Sequence, residues 1–190
     1  MHCYATDSPE KRIIPIILGA LSVAAAFGLS KAIAALKIEI LWWIDVPSVM
    51  GLYGLFHTVF DRWIRRNPIL RSVGLIKTPD LNGIWKGCLR SSFDQHGVEH
   101  QASLKIMQTW SQITVILETK QSRSHSLAAS IITVNPADIS LSYEYLNEPR
   151  SSALTTMNPH RGAANLVLAV ARDARPAVTH QNLVKANQKN

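Results

Sequence analysis

The sequence predicts two transmembrane α-helices followed by an all-β, up-and-down barrel that is incomplete at its C-terminus. Three observations carry this expectation. Hydrophobic residues make up 47% of the 190-residue chain and charged residues only 17%, and the apolar ones are concentrated before residue 64, which is unusual for a soluble domain. Beyond residue 79 long apolar runs give way to short alternating ones, the pattern of half-buried strands. Past residue 172 the alternation stops.

Residues 1–12 are read as a cytoplasmic N-terminus ending in the basic pair Lys11 and Arg12. The segment 13–36, "IIPIILGALSVAAAFGLSKAIAAL", carries one charge, Lys31. At about 1.5 Å per residue it is long enough to cross a hydrocarbon core of ~30 Å with some tilt. It is apolar all round, where a soluble helix has a single apolar stripe. The run is too long for a signal sequence and reads as a retained anchor.

The second membrane helix is placed at 47–64, starting at Pro47, where a missing N–H costs nothing. Trp42, Trp43 and Asp45 then form an interfacial belt, and His57 faces the partner helix. A basic linker, 65–79, follows. Residues 1–77 hold nine Lys/Arg against five Asp/Glu, and residues 78–190 hold eleven against eight. Much of the overall charge of +7 therefore flanks apolar segments, where it sets topology: a multi-pass protein with both termini cytoplasmic, and no DNA or RNA partner. Gly19, Ala26, Gly28, Gly51 and Gly54 permit close helix–helix approach, within one chain or between protomers.

The β domain spans 80–172, with strands expected at 83–90, 100–107, 110–119, 124–134, 139–147 and 164–171. Turn-rich segments such as "DQHG", "NPAD" and "NEPRSS" separate them. If consecutive strands are antiparallel, alternate strand ends share a rim. One rim collects Arg90, Ser91, Thr119, Ser124, Tyr145, Asn147, Arg150, His160 and Arg161, the candidate ligand-binding residues. Guanidinium forks suit phosphates, and aromatic faces suit bases. At the other rim, Gly83 and Trp85 form a structural plug, the glycine leaving room beside the indole ring.

No HExxH, nucleophile elbow or glycine-rich phosphate loop occurs, so no catalytic residue, metal or cofactor is assigned, and the protein is not expected to be an enzyme. The two cysteines, Cys3 and Cys88, have no pairing or ligand spacing and suit a reducing compartment. The tail 173–190 is expected to be disordered or atypical.

"PSVMGLYGLFHTVFD", "KTPDLNGIWKGCLRSSFD", "WSQITVILETKQSRSHSLAASI", "LSYEYLNEP" and "MNPHRGAANLVL", in this order, resemble the two-transmembrane β-barrel effectors of bacterial CBASS anti-phage systems. The resemblance covers about residues 13–170. It implies a calycin-like barrel that binds a cyclic dinucleotide made by a partner nucleotidyltransferase. It further implies an effector that oligomerises and disrupts the inner membrane, causing abortive infection. The chain departs from that family after the sixth strand, where it reads "RDARPAVTHQNLVKANQKN" in place of further strands. The alternative reading is a membrane-tethered, lipocalin-like binding protein for an apolar small molecule.

Overall fold

The computed structural model describes residues 1–36, 45–91, 98–135, 138–154, 157–169 and 181–189. Trp42 and Trp43 lie outside these. The chain divides into two compact units, residues 9–77 and residues 1–8 together with 78–190.

The helical unit begins with α1, Glu10–Ala35. Ile14, Leu18 and Ser22 form a covered stripe at a four-residue spacing, and the Ser22 hydroxyl donates to Leu18 O at 2.6 Å. The other faces leave Ile13, Ile16, Ile17, Leu21, Val23 and Phe27 exposed. So much uncovered apolar surface on one helix calls for lipid as its solvent. Among the described residues α1 is the one helix long and apolar enough to cross a membrane.

Among the described residues helix α2 runs Asp45–Arg62, with Pro47 in it. The first four N–H groups of a helix have no internal acceptor, so a proline in the first turn breaks no bond. In α2 the rings of Tyr53 and His57 are 6.0 Å apart, a spacing within one helix. A Cβ added at Gly19, Gly28, Gly51 or Gly54 would meet nothing within 4 Å. Within one copy of the chain, then, these glycines mediate no close helix approach. A 3-10 turn, Ile64–Arg66, and the short α3, Pro68–Ser72, complete the unit. Glu10 is buried, and its Oε2 accepts from the Lys77 backbone N–H at 2.6 Å.

Among the described residues the β unit contains eight strands: β1 His2–Thr6, β2 Gly83–Ser91, β3 Glu99–Gln108, β4 Gln112–Glu118, β5 Ser122–Asn135, β6 Asp138–Pro149, β7 His160–Ala169 and β8 Gln181–Lys189. β2 to β8 form a curled meander, and the strand order β1-β4-β3-β2-β8-β7-β6-β5 closes on itself. The six expected strands are β2 to β7. Two strands were not expected.

β8 is a correction, because the tail after residue 172 was expected to hold no strand. It pairs antiparallel with β7 and parallel with β2. A ladder is made by backbone groups, so two free edges can recruit a segment that lacks clean side-chain alternation. β1 comes from the N-terminus and lies antiparallel to β4 and parallel to β5. β4 and β5 pair only over 116–118 and 123–125. Beyond that they part, and β1 fills the gap.

One residue explains the parting. The β5–β6 register shifts between Ser126 and Ala128, leaving Leu127 as the extra residue of a bulge and 39% exposed. Before the bulge Ser124 and Ser126 are buried, and after it Ile131 is. A bulge bends its strand and resets which parity faces inward. The interior is apolar, built on Trp85, Leu104, Ile106, Ile113, Val115, Leu141, Tyr143 and Leu166.

Candidate ligand-binding site

Strand register sorts the expected site residues into two sets. Leu117, Ser124, Asn147 and His160 are directly opposite one another across β4, β5, β6 and β7. Ser126, Tyr145 and Gly162 form the adjacent inward row. Ser124, Tyr145 and Asn147 are buried, and the His160 ring meets Tyr145 edge-on, with centroids 6.4 Å apart. Further rows along the same wall are Ala129, Tyr143, Ala164 and then Ile131, Leu141, Leu166. The wall thus grades from amide, imidazole and hydroxyl groups at the rim to hydrocarbon within. Such a surface offers polar contacts at its mouth and stacking area just below it.

Asn147 and His160 in the rim row each have a local tether. Asn147 Nδ2 lies 3.3 Å from Met157 Sδ. His160 Nδ1 is 3.0 Å from Asn158 O, so the ring donates through Nδ1. Thr119 belongs to the β4–β5 hairpin, where its N–H donates to Ser122 O at 2.9 Å. Its hydroxyl accepts from the Ser122 N–H at 3.0 Å.

The described arginines stand outside this inner row. Arg161 is opposite Leu146 and exposed. Arg150 follows β6, and its Nη2 is 3.9 Å from Glu118 Oε2. Glu118 also takes Arg123 Nε at 3.3 Å. Two guanidinium groups thus share one exposed carboxylate, a weak surface arrangement that a multiply charged anion could displace. Arg90 and Ser91 end β2 opposite Asn187 and Gln188 of β8. Their side chains lie outside the described residues. The structure therefore brings Ser124, Tyr145, Asn147 and His160 onto one inner wall, and puts Thr119 and Arg150 at the rim beside it. Arg161 stands on the outer surface.

Tyr143 lies deeper in the wall, its ring centroid 6.0 Å from that of Tyr145. Burial, and then Tyr145, push its pKa far above the ordinary phenol value, so it is a neutral donor at any physiological pH. Its hydroxyl has no hydrogen-bond partner among the described residues.

At the opposite end Trp85 is buried, and its Nε1 donates to Leu81 O at 3.0 Å. Buried Gln108 supports the plug by accepting from Leu81 N at 2.8 Å. Gly83 is required for a different reason from the one expected. A Cβ there would meet nothing within 4 Å, but φ is +142°, a conformation that L side chains rarely adopt.

Sequence reasoning missed Glu118, the partner of the rim arginines, and it missed His2. His2 Nε2 is 2.7 Å from Ser126 Oγ, and that oxygen accepts from Val115 N at 2.9 Å. The alternation Ser124-x-Ser126 could have signalled Ser126. Nothing in residues 1–12 signalled that His2 reaches it. Among the described residues no group of three or more His, Cys, Asp or Glu side chains could hold a metal ion.

Residues 76–177 match the family model described as the cyclic dinucleotide receptor domain of Cap15, and residues 12–65 match the model of the Cap15 TM helices. The chain belongs to the Cap15 family. Curated relatives agree with this. A CD-NTase-associated protein 15 from Yersinia aleksiciae is 34% identical over 106 residues, which are 55% of this chain and 49% of the relative. Another from Staphylococcus schleiferi is 27% identical over 128 residues, 66% of this chain and 68% of the relative. The chain thus spans about half the length of the Yersinia relative. No solved structure matches. On the Cap15 receptor-domain span lie β2 to β7 and all the rim residues named above, while β1 and β8 fall outside it.

Proposed function

We propose that this chain is a membrane-anchored receptor for a cyclic dinucleotide, the effector of a CBASS antiviral defence. The observation that carries the reading is the coincidence of two features. The span matching a cyclic dinucleotide receptor domain holds the aligned inner row of Ser124, Asn147 and His160. In this reading the bases stack against Tyr145, and Asn147 and His160 contact base edges. Arg150 and Arg90 take the phosphates, Arg150 turning from Glu118, with Ser91, Thr119 and Arg161 at the margin. The ligand is made by a cognate nucleotidyltransferase.

α1 and α2 anchor the protein in the bacterial inner membrane as a multi-pass pair with both termini in the cytoplasm. Ligand binding favours self-association, and the associated helices disrupt the bilayer, which ends the infected cell. A ligand can drive assembly only by binding the assembled state more tightly. The chain acts as a binding protein and catalyses no reaction.

Calorimetry of the full chain in nanodiscs against a panel of 3′,3′-cyclic dinucleotides tests the reading. The full chain is needed because β1 precedes the membrane helix. One cyclic dinucleotide should bind, and Arg90→Ala, Arg150→Ala and Asn147→Ala should each weaken binding by about 1–3 kcal/mol. No binding to any member of the panel by folded protein would overturn it.

A further inference from the structure

We propose that two opposite outer faces of the β unit form a head-to-tail interface between copies of this chain. The first face is a depression over β5, β6 and β7 whose outward positions are Ala128, Ser130, Ser142, Glu144, Ala163 and Asn165; inward-facing Ala129, Tyr143 and Ala164 complete the lining of the cavity of about 560 Å³ there. Alanine and serine are poor strand formers, and a run of them across three strands lowers the surface almost to the backbone. The groove's polar groups turn to one another. Ser140 and Ser142 hydroxyls donate to Asn165 Oδ1 at 2.9 and 3.4 Å. Glu144 is the groove's one charged residue, flanked in register by Ala128 and Ala163. It takes part in no ion pair among the described residues.

The second face has the complementary character. In the closed strand order β3 stands four places from β6 in a ring of eight, directly across the barrel. The outward positions of β2, β3 and β4 put Ile84, Lys105 and Ile116 in one row. Ile84 is 41% exposed and Met107 37%, and Lys86 is exposed beside them. This face raises aliphatic side chains and lysines, and the groove offers an apolar depression with a carboxylate in it. Charge and relief therefore match between the two faces, whereas neither face matches itself. A second copy of this chain is the occupant that this complementarity selects. Two different faces on opposite sides make the contact heterologous, so each copy added presents a fresh groove, and assembly proceeds to a ring or an open string. The interface rests on the self-association step of the proposed function and gives it a surface, although neither face includes a rim residue.

The test uses the full chain in detergent and follows mass by light scattering, with and without each cyclic dinucleotide of the panel. Wild type should assemble past a dimer in at least one condition. Lys105→Glu alone and Glu144→Lys alone should each raise the concentration needed for assembly at least tenfold. An equimolar mixture of the two variants should recover it, because each variant's altered face meets the other's altered face, and their unaltered faces also match. Circular dichroism confirms that both variants fold. A wild type that stays monomeric throughout, single variants that assemble normally, or a mixture that fails to recover would each overturn the interface. Failure of the receptor reading is distinguishable, because it appears as absent calorimetric binding whatever the assembly state.

Discussion

Trp85 shows most directly how one residue holds the barrel end. Its side chain is buried, and its indole N–H is spent on Leu81 O, whose own N–H is held by Gln108 Oε1. Trp85→Ala removes a large ring from a packed end and leaves a carbonyl unpaired. The expected loss is about 3–5 kcal/mol of stability, read from denaturant unfolding followed by the β signal. Gly83→Ala should cost about 1–3 kcal/mol through its φ alone, so a loss well above that, matching Trp85→Ala, would show that packing governs Gly83 after all. The burial of Trp85 was legible in the sequence as Gly-x-Trp, but the conformation of the glycine was not, since positive φ leaves no composition signal. At the rim the reverse holds. The alternation that separates inward Ser124 from outward Arg123 is plain in the sequence, and collecting every polar residue near a strand end overlooked it.

Among the elements, β1 was the least legible. It has five residues and one buried apolar side chain, Tyr4, too little for a periodic signal. Its place exists only because the Leu127 bulge turns β5 away from β4. The strand is fastened at both ends, by His2 to Ser126 and by Asp7, whose carboxylate accepts from Thr133 N at 3.0 Å and Thr133 Oγ1 at 2.9 Å. Burial pushes the Asp7 pKa up, but these bonds outweigh it and hold the pKa below the ordinary 3.8. A depressed carboxyl pKa stabilises the folded state above the unfolded pKa, and the contribution is lost as pH falls through the folded value. β1 should therefore loosen below about pH 4, an effect that Asp7→Asn removes. Hydrogen exchange is the measurement. Deleting residues 2–6 should deprotect amides in 112–113 and 129–131, the segments that pair with β1. Unchanged protection there would mean that β4 and β5 close the gap unaided.

For the β unit as a whole, strand count decides how the ring closes. β2 to β8 are seven consecutive strands, each antiparallel to the next wherever they meet in the meander. Each junction reverses the chain, and an even number of reversals leaves the first and last strands pointing the same way, so β8 can join β2 only in parallel, as observed. Parallel pairing is somewhat weaker per residue than antiparallel, and β8 lies beyond the span that matches the Cap15 receptor domain, which ends at residue 177. The closing seam is thus the place where sequence pattern was weakest and where the fold depends most on edge capture. Removing residues 178–190 should leave β2 and β7 with free edges, and exposed edges invite pairing with other chains. The expected outcome for the truncated chain in detergent is a lower midpoint of thermal unfolding and faster exchange of the β2 and β7 amides that face β8. Concentration-dependent aggregation absent from the full chain should accompany them. The inner row of Ser124, Asn147 and His160 sits on β5, β6 and β7, whose mutual pairing does not involve β8, so calorimetry on the truncated chain separates closure from binding. Binding that survives with reduced stability assigns β8 to the scaffold, whereas full-chain stability and exchange after truncation would show that the ring does not depend on its eighth strand.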